Sequence, residues 1–264
     1  MKLAITGLTV AFDGRVVAHV PELTISSGES VGVAGESGSG KSMTAMAILG
    51  LAQRLGADVE GSIRLDGREL VGAAERELRA VRGRRIGMIF QSPSSAFNPV
   101  LRTGYTFGRV LALHGIESRR ARRAAAEAAL AEVRLRPRVL DRYPHQLSGG
   151  ELQRVAIAMA LALHAELLLA DEPTSALDVT VQAEIFEIVS RIRATENMAL
   201  LFISHDLAAI AEITERVVVM RAGEVVESGS TRAVVATPAH AYTRALFDAV
   251  PVLGQGTSSS ADGF

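Results

Sequence analysis

The stretch Gly35-Glu36-Ser37-Gly38-Ser39-Gly40-Lys41-Ser42 fits the pattern G-x-x-x-x-G-K-[ST] without a mismatch. The apolar run Val31-Gly32-Val33-Ala34 reads as a buried strand feeding this glycine loop, and the loop opens a helix over about 42–51. Glycines let a backbone bend close to phosphate oxygens, and the N–H groups at a helix start converge on the same anion. Lys41 then reaches the β and γ phosphates as a mobile cation, and the Ser42 hydroxyl can bind Mg²⁺. A plain Gly/Ser turn with a surface lysine is the competing explanation; the order strand, loop, helix argues against it. Alone, the stretch indicates that a nucleoside triphosphate binds.

Other strand ends carry groups suited to the same chemistry. Leu167-Leu168-Leu169-Ala170 runs into the adjacent carboxylates Asp171 and Glu172, and in a parallel sheet ligand chemistry collects at the carboxyl ends of strands. Asp171 would hold Mg²⁺, directly or through water, while Glu172 would orient and polarise an attacking water. Two acids can also merely punctuate a strand, but Pro173-Thr174-Ser175-Ala176-Leu177-Asp178 comes next and favours catalysis. The run Leu200-Leu201-Phe202-Ile203 ends in Ser204-His205-Asp206. If its strand neighbours that of Asp171, His205 can hydrogen-bond a γ-phosphate; otherwise it is structural. Gln91, ending a strand over 86–90, could touch the metal or the water while anchoring the helical segment beyond it, which makes it a candidate hinge. A second glycine-containing helix start, Leu147-Ser148-Gly149-Gly150-Glu151-Leu152-Gln153-Arg154, has small residues and free N–H groups for a phosphate but no lysine in the loop position. One chain does not need two such sites for one nucleotide, whereas two chains facing each other do.

The elements that position these residues can be read from pattern and turn chemistry. Alternating segments over 3–5, 8–12 and 23–25, with turn signals at Asp13-Gly14 and Ser27-Gly28, predict antiparallel strands. Residues 61–68 predict another strand, ending at Asp66-Gly67, and a charged helix comes after it over about 73–82. From Ser92 the texture changes: Ser92-Pro93-Ser94-Ser95 and Asn98-Pro99 are loop chemistry, and about 103–140 is helical and rich in alanine and arginine. The final third alternates again. Strands are predicted over 167–171, 199–203 and 216–220, helices over 155–163, 179–193 and 207–215, and a hairpin through Gly223 into 224–227. This rhythm predicts an α/β fold whose mostly parallel core sheet is covered on both faces. The tail beyond Gly254 is poor in apolar residues and reads as disordered.

Composition narrows the function classes. The formal net charge of −1 provides no global basic field for nucleic acid. Arg119-Arg120 and Arg122-Arg123 lack interleaved aromatics and read as a solvated helix face, so no nucleic-acid partner is expected. The absence of cysteine excludes disulfides, thiolate metal sites and iron–sulfur clusters. No apolar core of a signal peptide comes after Met1. The most apolar stretch, 155–170, is interrupted by His164 and Glu166 and falls short of the roughly 18 consecutive apolar residues of a membrane span.

In order and approximate spacing, residues 35–42, Gln91, Leu147-Ser148-Gly149-Gly150-Glu151, Asp171-Glu172, Ser175-Ala176-Leu177-Asp178 and His205 resemble the motifs of the ATP-binding subunits of ABC transporters. The resemblance covers about residues 1–235. It implies a P-loop NTPase of the ABC type, with a nucleotide-binding core over 1–91 and 155–235 that includes an N-terminal antiparallel β subdomain. A helical subdomain over 92–154 is inserted in the core, and a C-terminal extension occupies 236–264. The resemblance further implies Mg²⁺-dependent ATP hydrolysis, with Glu172, His205 and Gln91 catalytic and Ser42, Gln91 and Asp171 at the metal. Nucleotide contacts would come from residues 35–42, Met43, Ser148, Gly149, Gly150, Glu151 and Asp178, with Phe12 stacking on adenine. Two such subunits, identical or paralogous, would pair head to tail, each ATP lying between one glycine loop and the opposite Ser148 end. They would act on two membrane permeases from the cytoplasmic face of the inner membrane, with an extracytoplasmic solute-binding protein as an indirect partner.

A finer resemblance is to the peptide and nickel importer group. It rests on Ile89-Phe90-Gln91-Ser92-Pro93, Ala96-Phe97-Asn98-Pro99, Tyr143-Pro144-His145-Gln146 and Pro238-Ala239-His240-Ala241-Tyr242-Thr243-Arg244-Ala245-Leu246. The cysteine-rich cluster site of longer members is excluded here. The alternatives are an exporter ATPase and, with neither coiled-coil heptads nor tandem motifs in its favour, a soluble ABC ATPase.

Overall fold

The computed structural model describes residues 1–93, 97–174 and 177–248. The expectations at Ser94, Ser95, Ala96, Ser175, Ala176 and the tail beyond Gly254 lie outside the described residues.

The chain opens with a long hairpin, β1 (Lys2–Phe12) and β2 (Arg15–Ser26). Its turn residues Asp13 and Gly14 both have positive φ, as a two-residue turn between twisted strands requires. Segments 3–5 and 8–12 are one strand, not two: a bulge absorbs Gly7, and β1 runs on to Phe12 while pairing with both β2 and β4 (Asp58–Leu65). The short β5 (Arg68–Glu69) comes after a second turn of the same kind at Asp66-Gly67. Between these strands lie β3 (Ser30–Ala34) and α1 (Lys41–Ile48). The helix stops before residue 51 because Gly50 takes positive φ, and the amides of Gly50 and Leu51 close back on Ala47 and Met46.

A charged helix, α2 (Glu75–Val81), leads to β6 (Ile86–Ile89) and then to the helical part. The expected helical stretch is divided into α3 (Thr103–Leu113) and α4 (Arg119–Glu132), separated at Gly115, with Ser118 capping α4 by accepting from the Ala121 amide. α5 (Gly149–Leu161) begins six residues earlier than the apolar run starting at Val155 suggests, because Ser148 provides the cap. Two arginines of the basic cluster are spent on the fold. Arg122 donates to the carbonyls of Ile116 and Glu117, and Arg123 pairs with Glu127 and Asp141.

The remainder is β7 (Leu167–Asp171), α6 (Val179–Glu196), β8 (Ala199–Ser204), α7 (Leu207–Ile213), β9 (Arg216–Arg221), β10 (Glu224–Ser230), α8 (Thr231–Ala236) and α9 (Ala241–Asp248). The last two helices had no counterpart among the elements expected from the sequence.

Among the described residues ten strands belong to one sheet, in the order β5-β4-β1-β2-β10-β9-β3-β8-β7-β6. β9, β3, β8, β7 and β6 run parallel, while β5, β4, β1 and β2 form an antiparallel wing. The wing joins the parallel part through β10, which is antiparallel to β9 and meets β2 at one bridge, Glu224 to His19. The parallel strands separate two cores. Leu167, Leu169, Leu201 and Ile203 face the wing and α1, whereas Leu168, Ala170, Leu200 and Phe202 face the helices on the other side. Burial on both faces is why these strands read as unbroken apolar runs. Among the described residues no helix is long and apolar enough to cross a membrane.

Candidate active site

The glycine loop sits where β3 ends and α1 begins, pressed against other backbone. A Cβ on Gly35 would lie 2.2 Å from the Met220 carbonyl oxygen, and one on Gly40 would lie 2.5 Å from that of Val17. Both glycines have positive φ, so no other residue satisfies the two constraints together. Gly40 caps α1 without any side-chain acceptor, which leaves the helix's first amides available to an anion. Lys41 is buried, and its ammonium donates to the carbonyls of Gly35 (2.8 Å) and Glu36 (2.7 Å) and to Ser39 Oγ (3.3 Å). Burial pushes the Lys41 pKa down, against the pull of the Glu172, Asp171 and Glu36 carboxylates. The loop is also tied to the β9–β10 turn, where the Gly223 amide donates to the Ser39 carbonyl at 3.2 Å.

Across from the loop, Asp171 ends β7 and accepts a hydrogen bond from Ser42 Oγ at 2.9 Å. Burial raises the Asp171 pKa above the usual carboxylate range, with Glu172 adding to the effect and the Ser42 hydroxyl and Lys41 opposing it. A hydroxyl and a carboxylate side by side are the all-oxygen set that Mg²⁺ takes together with substrate phosphates. Among the described residues no group of three or more His, Cys, Asp or Glu is gathered for a metal, and Gln91, expected at the metal with this pair, donates to Glu172.

Glu172 comes directly after β7 in a left-handed conformation, φ 45°. Its amide donates to the Ile203 carbonyl, which prolongs the pairing with β8 by one residue and holds the side chain at the strand ends. One carboxylate oxygen accepts from Gln91 Nε2 at 2.7 Å, and the other lies 3.1 Å from His205 Nδ1. Gln91 lies just past β6 and His205 just past β8, so three neighbouring strands each deliver one of these residues. A carboxylate hydrogen-bonded at one oxygen and facing an imidazole at the other is oriented, and next to a phosphate loop it can align a water. His205, expected at a phosphate, here faces Glu172, and Asp206 beside it caps α7.

The second glycine-containing helix start is elsewhere. Ser148 Oγ accepts from the Glu151 amide at 3.1 Å, and the Glu151 carboxylate accepts from the Ser148 amide at 3.1 Å, a reciprocal cap on α5. A Cβ on Gly150 would press on Val181 Cγ1 at 3.0 Å, so the small residue also lets α5 approach α6. Ser148, Gly149, Gly150 and Glu151 line an open cleft of about 590 Å³ together with Asp178 and the arginines 134, 136 and 138. No residue of the 35–42 loop lines it. Asp178 caps α6 by accepting from the Val181 amide at 3.0 Å. Phe12 ends β1 beside the hairpin turn, and both it and Met43 pack half-buried on the wing-side core. The structure therefore brings together Lys41, Ser42, Gln91, Asp171, Glu172 and His205, and leaves Ser148 to Glu151 with Asp178 in a separate cleft. The residue that sequence reasoning missed is Tyr242, whose hydroxyl accepts from the Glu36 amide at 3.0 Å. No spacing or pattern near residue 242 signals that contact.

Comparisons with known proteins agree on one family. The profile of a family described as "ABC transporter" matches residues 19–175. The protein named glutathione import ATP-binding protein GsiA is 44% identical in Pectobacterium atrosepticum, over 95% of this chain, and 42% identical in Escherichia coli, over 96%. The chain spans 42% of the length of each of these relatives. Among solved structures, a dimeric post-hydrolysis state of the ATP-binding cassette MJ0796 bound to ADP and Pi superposes with a TM-score of 0.75 at 28% identity. A second dimeric structure of the same cassette gives 0.75 at 29%, and each covers 88% of this chain and 99% of its own.

Proposed function

The chain belongs to the ABC transporter family; from that premise we propose that it is an ABC-type ATPase that energises an importer of di/oligopeptides or nickel by ATP-driven closure of a dimer. The observation that carries the ATPase half of this reading is the convergence of Gln91 and His205 on the Glu172 carboxylate beside the Ser42–Asp171 pair. In this reading the 35–42 loop and Lys41 bind the phosphates, and Phe12 stacks on adenine. Glu172 would orient the attacking water, His205 would reach the γ-phosphate, and Ser42, Asp171 and Gln91 would hold Mg²⁺, with Gln91 also near that water. Mg²⁺ held there would supply charge neutralisation to the bound phosphates.

The separate cleft supports a head-to-tail pair: Ser148, Gly149, Gly150, Glu151 and Asp178 would complete the site of a facing subunit, identical or paralogous. Residues 92–154 would then form the subdomain that moves with Gln91 and carries the motion to two permeases at the cytoplasmic face of the inner membrane. The importer half rests on relatives named for glutathione import, glutathione being a peptide, and on the motifs at 89–99, 143–146 and 238–246. A solute-binding protein outside the membrane would choose the cargo.

The test is reconstitution in proteoliposomes with two permeases and a solute-binding protein of the same group from the same source. ATP-dependent uptake of labelled glutathione, a dipeptide or Ni²⁺ is expected. ATP hydrolysis accompanied by uptake of none of them would overturn the importer reading while leaving the ATPase intact.

A further inference from the structure

The phosphate loop is gripped from the C-terminal end of the chain. The Glu36 amide donates to the Tyr242 hydroxyl at 3.0 Å, across 206 residues of sequence. In the same peptide unit, the Gly35 carbonyl accepts from the Lys41 ammonium at 2.8 Å. One rigid peptide plane is thus held at both ends, and turning it would break both bonds. Tyr242 is itself firmly placed. It lies in the first turn of α9, is 7% exposed, and has the Arg221 guanidinium 4.9 Å from its ring centroid. The turn before α9 is closed by side chains: Glu227 accepts from the amides of Ala239 (2.8 Å) and His240 (3.0 Å), and His240 Nδ1 accepts from the Tyr242 amide at 3.1 Å.

We propose that Tyr242 is a positioning residue of the nucleotide site: its hydroxyl fixes the Gly35–Glu36 peptide and, through the Gly35 carbonyl, the Lys41 ammonium, which makes α9 part of the phosphate-binding apparatus. This rests on the reading of residues 35–42 as the ATP loop. Without the hydroxyl the peptide is free to turn, and ATP must order it on binding, so affinity falls while the chemical step after binding is untouched.

The experiment compares the full chain with Tyr242→Phe, which keeps the ring beside Arg221. The KM and Kd for ATP with Mg²⁺ should rise about two- to tenfold, the range of one hydrogen bond, with kcat unchanged. Hydrogen exchange at the Glu36 amide should quicken in the nucleotide-free protein. Glu227→Ala, which loosens the turn before α9 at a distance from the loop, should raise Kd and Glu36 exchange in the same direction. If both variants keep parental Kd and exchange while Lys41→Ala loses ATP, the role of Tyr242 is refuted and the loop reading stands. If Lys41→Ala also binds normally, the loop reading itself fails. A fall of kcat and Tm together in Tyr242→Phe would mark the residue as packing and equally overturn the proposal.

Discussion

Gln91 and Glu172 lie 81 residues apart in sequence and meet at 2.7 Å, amide nitrogen to carboxylate oxygen. The bond joins the segment leading into the helical part to the acid at the end of β7.

Glu172→Gln preserves the shape of the side chain and an oxygen that can accept from Gln91, but removes the charge that activates water in the proposed role. Steady-state phosphate release should fall about 10²- to 10⁴-fold, the usual contribution of a general base, while ATP binding persists. Near-parental turnover in this variant would remove Glu172 from the role assigned to it.

Lys41→Ala acts earlier, on binding. The ammonium already sits among the loop carbonyls, and its loss deprives the triphosphate of a charge-assisted partner. At about 1.5–3 kcal/mol for hydrogen bonds to charged groups, the Kd for ATP should rise about one to two orders of magnitude in equilibrium titration.

Asp171 predicts a pH dependence in the metal-free protein. Burial raises its folded-state pKa above the usual carboxylate value, so in the window above about pH 4 the folded chain holds more of this proton than the unfolded chain. Stability from this group is fully present below the unfolded pKa and is lost as pH rises through the folded one. Asp171→Asn should therefore flatten the decline of Tm with rising pH in a chelating buffer and give a higher Tm near pH 7. Parallel curves for the two proteins would contradict the assignment.

Phe202 tests the helix-side core. It is 2% exposed in the middle of β8 and meets Phe186 of α6 edge to face, with centroids 5.8 Å apart. Phe202→Ala should cost about 3–5 kcal/mol in urea unfolding by opening a cavity under the strand that carries His205. A loss below about 1 kcal/mol would mean that this core collapses around the gap.

Much of the local structure was determined by the sequence itself, for local reasons. The all-apolar runs at β3, β7, β8 and β9 read as strands because both their faces are buried. Asp13-Gly14 and Asp66-Gly67 read as turns because those residues tolerate positive φ; Ala222-Gly223 takes the same shape with a weaker signal in its alanine. The glycine loop was equally plain, since its spacing alone specifies a backbone that approaches an anion. Helix limits were less so: α1 ends at Ile48 through a glycine closure, and α5 starts at Gly149 through a serine cap, both decided by one or two hydrogen bonds. Tertiary structure alone decided the strand order. It places β6, β7 and β8 side by side, and only that order makes Gln91, Glu172 and His205 neighbours. It alone decided, too, that Tyr242 closes on Glu36. Such contacts depend on how packed elements align in space, and a hydrogen bond across 206 residues leaves no trace in the periodicity or turn chemistry at either end.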